Sequence, residues 1–165
     1  MIISLSTLIV FAYQTNLIRK QQYMSVYPHL NLVNYNSGSI NYKYVLRNEG
    51  VGPGFISDIV IRETGGPVYE SFVEYLEQKI TKKDSIEFHY SDLYKGRLIQ
   101  ADEEIILFGL SGHEYTRMHG LPRNTIRSAN KLYHILNSLE VKITYESIYG
   151  ESWSITHDSE IPIKN

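Results

Sequence analysis

The chain has 165 residues, 42% of them apolar and 21% charged, with a formal net charge of −2. That length suits one ordinary domain, which buries about 70% of the surface its unfolded chain would expose. The near-neutral balance offers no basic footprint for nucleic acid, and the absence of cysteine excludes disulfides, thiolate metal sites and cysteine nucleophiles.

The chain opens "MIISLSTLIVFAY" and then turns polar at "QTNLIRKQQ". Residues 2–13 are shorter than the ~20 apolar residues that cross a ~30 Å hydrocarbon layer; Leu17 and Ile18 bring the stretch near the lower limit. A signal peptide would want a basic start and a small-residue cleavage site, and neither is present. A buried element of a soluble domain is the competing reading. The reading preferred is a membrane anchor helix over residues 1–18 with a juxtamembrane segment over 19–28, and a single pass. Arg19 and Lys20 follow the apolar run, and the positive-inside tendency then places the rest of the chain in the cytoplasm. Helix continuing past residue 14 should end before Pro28, which disfavours helix at Tyr27.

From residue 29 to 165 the dominant period is two. "HLNLVNY" and "INYKYVLR" read as strands, the second alternating Ile40, Tyr42, Tyr44 and Leu46 against Asn41, Lys43, Val45 and Arg47, with a polar loop at Gly38 between them. "FISDIVIRE" supplies a third strand, stopped by "TGGP". "VYESFVEYLEQKI" places Phe72, Val73, Leu76 and Ile80 at helical spacing, with Glu70, Glu74, Glu77 and Lys79 on the other face. "SIEFHY" alternates again through Ile86, Phe88 and Tyr90. "RLIQ" and "IILFGL", joined at "ADEE", read as a strand pair, the second strand buried on both sides. "RSANKLYHILNSL" has helical spacing at Leu132, Ile135, Leu136 and Leu139, with Asn124 and Thr125 as caps. The chain closes in a hairpin, Val141, Ile143 and Tyr145 on the way in, Trp153 and Ile155 on the way back, and Gly150 near its turn. The expected fold is mainly β, an antiparallel, immunoglobulin-like β-sandwich with one or two short inserted helices behind an N-terminal hydrophobic helix.

The chemistry-bearing stretches are few. "LRNEGVGPGFI" carries Gly50, Gly52, Pro53 and Gly54 after Asn48. A phosphate loop would continue with Lys-Ser or Lys-Thr, and a dinucleotide fingerprint would open a helix whose amides hold the pyrophosphate. Here "FISDIVI" favours strand, so the cluster reads as a corner where backbone turns and approaches closely. "GHEYTRMHG" holds His113, Glu114, Tyr115, Arg117 and His119, without the four-residue histidine spacing of a zinc-protease helix. It belongs to an irregular loop, 111–124, which is the expected binding surface together with Tyr149 and Trp153. The histidines at 29, 89, 134 and 157 are scattered. Asp58, Asp92, Asp102, Glu103 and Glu104 lack partners at recognisable spacing, and no G-x-S-x-G elbow occurs. Tyr145, Tyr149 and Trp153 suit either a stacking platform for a sugar or peptide, or core packing of the hairpin, which is the commoner use of aromatics.

Three motifs, Ser25 to Leu30 ("SVYPHL"), Asn48 to Ile56 ("NEGVGPGFI") and Tyr145 to Trp153 ("YESIYGESW"), together resemble a group of uncharacterised bacterial single-pass membrane proteins with patterns S-V-x-P-x-L, N-x-G-x-G-P-[AG]-x-I and Y-x-S-x-Y-x-x-x-W. The resemblance implies a membrane anchor and a compact β-rich domain, and carries no catalytic residue. Relatives in that group often have cysteine where this chain has Glu146, so a role resting on that thiol is not expected. The anchor is short for the pattern, which implies a truncated start. The function expected is therefore a membrane-anchored, non-enzymatic interaction or scaffold domain that binds another protein or itself, without cofactor or metal. The alternative is a module that senses a nucleotide or sugar through Tyr145, Tyr149 and Trp153. Convergence of His113, Glu114 and His119 on one point would favour an enzyme instead.

Overall fold

A computed structural model describes residues 2–37, 39, 41–69, 71–79, 88–110, 123–157, 159 and 161–165, with side chains from residue 5 in the first helix and from residue 130 in the last. Helix α1 (Ile2–Ser25) runs unbroken for 24 residues, about 36 Å at 1.5 Å per residue. It ends at Ser25, three residues before Pro28. Among the described residues ten strands follow: β1 (Leu30–Tyr35), β2 (Lys43–Asn48), β3 (Gly54–Glu63), β4 (Val68–Tyr69), β5 (Phe88–His89), β6 (Leu98–Ile99), β7 (Glu104–Leu110), β8 (Leu139–Glu146), β9 (Ser152–Thr156) and β10 (Ile163–Lys164). Among the described residues two helices interrupt them, α2 (Phe72–Lys79) and α3 (Arg123–Asn137).

The strands form two antiparallel sheets, ordered β1-β2-β7-β5 and β10-β9-β8-β3-β4, with β6 also on β3. The long strand β3 gives one edge to β8, from Phe55↔Glu146 to Glu63↔Leu139, and shares the other between β6 at its start and β4 at its end. Alternation is clean in β8, where Leu139, Val141, Ile143 and Tyr145 are buried and their neighbours face outward. Residues of both sheets join one core, including Leu30, Tyr44, Leu46 and Leu107 from the first and Ile56, Ile61, Ile143 and Trp153 from the second. The mainly β, antiparallel reading holds.

Several elements differ from the sequence expectation. Residues 98–110 do not form one strand pair: β6 lies on β3 in the second sheet, whereas β7 lies between β2 and β5 in the first. The "ADEE" turn is thus a crossing between sheets, with Asp102 at φ 61° and its amide donating to the Asn48 carbonyl at 3.0 Å. In β2, Val45 is fully buried along with Tyr44 and Leu46, at a register shift against β7 between Tyr44 and Val45. In α2 Tyr75, absent from the expected apolar stripe, is as fully buried as Leu76, and its hydroxyl donates to the Ile135 carbonyl at 2.9 Å. Leu139 opens β8 and is not the last turn of a helix. Helix α3 already includes Asn124 and Thr125, so neither stands outside it as a cap. Gly38, Ile40, Ile80, Ile86 and Glu70 lie outside the described residues.

The anchor needs correction. α1 runs without a break from Ile2 past position 18 to Ser25. Among the described residues, no helix is long and apolar enough to cross a membrane. The physical reason is that Gln14, Thr15, Asn16, Arg19, Lys20, Gln21 and Gln22 make the second half of α1 polar. Its first half stays apolar and unpacked: Leu8, Ile9, Val10 and Phe11 are 53–66% exposed on four successive positions, which at 100° per residue covers every side of the helix.

Candidate functional site

The residues that connect α1 to the sheets meet the inter-sheet turn at a buried polar side chain, Asn48. β2 ends in the first sheet at Asn48 and β3 begins in the second at Gly54, so residues 49–53 carry the chain from one sheet to the other. Asn48 is fully buried, and a buried amide is costly unless its donors and acceptors are met. Its Oδ1 accepts from the His29 amide at 3.1 Å and the Gly50 amide at 3.0 Å. Its Nδ2 donates to the Gly52 carbonyl at 2.8 Å and the Ile99 carbonyl at 3.2 Å. One side chain therefore ties together the exit of α1, the inter-sheet turn and β6.

The backbone of the turn is equally engaged. Glu49 N donates to His29 O at 2.8 Å, while Val51 N and Gly52 N donate to Tyr27 O at 3.1 and 3.2 Å. Ile56 N donates to Arg97 O at 2.9 Å. The amides of residues 49–52 point at residues 27–29 and Asn48, not outward, and no helix opens here. Gly50 and Gly52 are glycine for closeness: a Cβ on Gly50 would overlap the Tyr27 carbonyl, and one on Gly52 the Val26 carbonyl. Gly54 is less tight, its Cβ meeting Pro28 and Tyr145 at 3.4 Å. Pro53, half-buried, stands between them.

Beneath this turn lies an aromatic group. Tyr145 is fully buried; its hydroxyl accepts from the Leu30 amide at 3.3 Å and reaches the Pro28 carbonyl at 3.5 Å. Its ring stacks on Trp153, centroids 5.8 Å apart and 25° between planes. Tyr27 meets the Trp153 ring edge-on at 5.2 Å, and the Lys164 ammonium sits 5.7 Å from its centroid. Tyr149, on the β8–β9 turn at Gly150, receives Tyr23 of α1 edge-on at 5.0 Å. The open stacking platform is thus corrected: Tyr145 and Trp153 are 0% and 5% exposed core residues, and only Tyr149 presents its ring to solvent.

Burial pushes the Tyr145 hydroxyl well above the ordinary tyrosine pKa, against a smaller opposing effect from the Leu30 amide. Tyr42 is shifted upward by burial too, then by Tyr133. In the folded chain these phenols stay protonated where the unfolded chain ionises, near pH 10. The native state then binds more protons, so stability falls as pH rises above about 10. Denaturation midpoints are expected to be flat up to about pH 9 and to decline beyond it, less steeply in Tyr145→Phe. An equal slope in the variant would remove Tyr145 from this effect.

His113, Glu114, Tyr115, Arg117 and His119 lie outside the described residues, as does most of the 111–124 loop. Among the described residues no three His, Asp or Glu side chains are placed to hold a metal ion. Asp102 and Glu103 serve the second inter-sheet crossing: Glu103 O accepts from Asn48 N at 3.0 Å, and the Glu103 carboxylate accepts from Gln100 N at 2.7 Å. The residues missed from sequence are Tyr27 and His29, which the glycine turn grips; the "SVYPHL" motif and the "NEGVGPG" motif are the two halves of one joint. No family model, curated protein or solved structure matches this chain.

Proposed function

We propose that this chain is a non-enzymatic interaction domain, an immunoglobulin-like β-sandwich held at a lipid layer by the apolar first half of α1. The observation that carries this reading is the ring of exposed Leu8, Ile9, Val10 and Phe11. A protein groove covers one face of a helix, whereas apolar side chains on all sides suit a medium that surrounds it. Residues 2–13 reach about 18 Å, which enters the hydrocarbon layer without crossing it. Arg19 and Lys20 stand where headgroups would lie, and the anionic lipids of the cytoplasmic leaflet favour that side for them. The three-motif resemblance to bacterial single-pass membrane proteins points the same way, and partners, another protein or a second copy, would meet the domain there. Asn48, Gly50 and Gly52 support the tether mechanically, since they hold residues 27–29 by backbone contact.

The test is vesicle flotation of the full chain beside two variants, one lacking residues 2–18 and one with Ile9→Ser and Phe11→Ser. The full chain is expected to float and the deletion to remain at the bottom. The double variant is expected to partition about tenfold or more weakly, given ~25 cal/mol per Å² of apolar surface. Equal recovery of full and shortened chains in the soluble fraction would remove the tether from this account.

A further inference from the structure

We infer that the end of the β domain from which α1 departs is itself a lipid-contacting surface, so that the domain rests on the layer in one orientation and does not swing from its helix. This inference rests on the tether reading above and adds a second, independent contact to it.

The end is defined by topology. β1 begins there at Leu30, β2 ends at Asn48, β3 begins at Gly54, β6 lies against the start of β3, and β8 ends at Glu146. Large apolar side chains project outward around this end: Met24 on the last turn of α1 (70% exposed), Val51 on the glycine turn (68%), Phe55 and Leu98 on paired strands (39% and 40%), and Ile148 and Tyr149 on the β8–β9 turn (49% and 48%). Each belongs to a different segment, yet the segments adjoin. Val51 N bonds Tyr27 O, Phe55 faces Leu98 and Glu146 across the ladder, and Tyr149 touches Tyr23. Single exposed hydrophobes are ordinary; a fringe of them round one helix exit marks an interaction surface.

Spacing selects lipid as the occupant. From Lys20 to Ser25 is five residues of α1, about 7.5 Å along its axis. A headgroup layer is roughly 5–8 Å thick on each side of a bilayer. With Arg19 and Lys20 among the headgroups, the fringe comes to the same layer, where amphipathic Tyr149 and Tyr23 are at home. Charge does not drive the contact. Acidic groups outnumber basic ones at this end, with Glu49, Asp102, Glu103, Glu104 and Glu146 beside Arg47 and Arg97, so binding of the fringe to a neutral layer is apolar and insensitive to salt.

The chain has no cysteine, so one introduced cysteine carries a fluorophore to a single place. Full-length Leu8→Cys, Leu98→Cys, Ile148→Cys and Val68→Cys chains are mixed with neutral phosphatidylcholine vesicles bearing a quencher on the lipid. Val68 is exposed and paired with Arg62 at the far end of β3, so it serves as the distant reference. Labels at Leu98 and Ile148 are expected to be quenched well above Val68, at low and at high salt alike, with Leu8 quenched most. Quenching at Leu8 with Leu98 and Ile148 no different from Val68 would overturn the fringe and leave the tether standing. Quenching at none of the four would overturn both. A Phe55→Ser, Leu98→Ser chain is expected to leave the vesicles about five- to tenfold faster, with unchanged Trp153 emission showing intact sheets; an unchanged rate would again overturn the fringe.

Discussion

Replacing Asn48 by alanine is expected to cost about 3–5 kcal/mol of folding stability, a large share of the 5–15 kcal/mol typical of a domain. The side chain is fully buried and makes four hydrogen bonds, to His29 N, Gly50 N, Gly52 O and Ile99 O. An alanine methyl fills part of the space and meets none of these groups. Each buried donor or acceptor left without a partner costs about 1–3 kcal/mol, reduced where water can reach it. The His29 and Gly50 amides are only part-buried and are the ones that water can rescue. The Gly52 and Ile99 carbonyls are buried and set the lower bound. Chemical denaturation with Trp153 emission reads the loss directly, and a change under about 1 kcal/mol would mean that the four bonds are not made in solution.

Gly52→Ala is the second large effect, about 2–4 kcal/mol, and it acts by another route. The φ of Gly52 is not in the left-handed region, so conformational freedom is not what the glycine supplies. Proximity is: a methyl would occupy the space of the Val26 carbonyl, which is backbone and cannot rotate away. Relief requires residues 26–28 to separate from the turn, which breaks the Val51 and Gly52 bonds to Tyr27 O and draws the Tyr27 ring off Trp153. The only tryptophan in the chain therefore reports the event, its emission moving to longer wavelength as water reaches the ring. Gly96→Ala is the contrast: φ is +91° there and nothing lies within 4 Å, so about 1–2 kcal/mol of backbone strain and no change at Trp153 are expected. Like responses in the two variants would contradict the close-approach argument.

Period-two alternation made β8 legible, because it covers the core with one face and the pattern is local. β2 and β9 were legible as strands, yet each buries three successive residues, Tyr44 to Leu46 and Trp153 to Ile155, which alternation does not foretell. The pairing of β6 was not legible. "RLIQADEEIILFGL" reads as a hairpin in any local window, whereas Asn48, 51 positions before Ile99, bonds the Ile99 carbonyl and the Asp102 amide where the chain changes sheet. Tyr75 escaped the helical stripe because its hydroxyl suggests solvent, whereas the Ile135 carbonyl receives it inside the core. At the junction, the N-x-G-x-G-P spacing shows that backbone comes close to something. What it approaches, Val26 to His29, lies about twenty residues earlier across two strands, β1 and β2, and no periodicity links the two. The polar second half of α1 and its end before Pro28 were visible in sequence; its contact with the domain, Tyr23 meeting Tyr149, is made only in the fold.

The central claim is that the turn over residues 49–52 grips the exit of α1 with its amides and has none to offer an anion. Amide hydrogen exchange resolved by residue, repeated with sulfate and with a nucleotide added, tests it most directly. The account requires slow exchange at Glu49, Gly50, Val51 and Gly52, with resonances that neither ligand moves. Fast exchange at these amides, or saturable shifts on adding either anion, would contradict it.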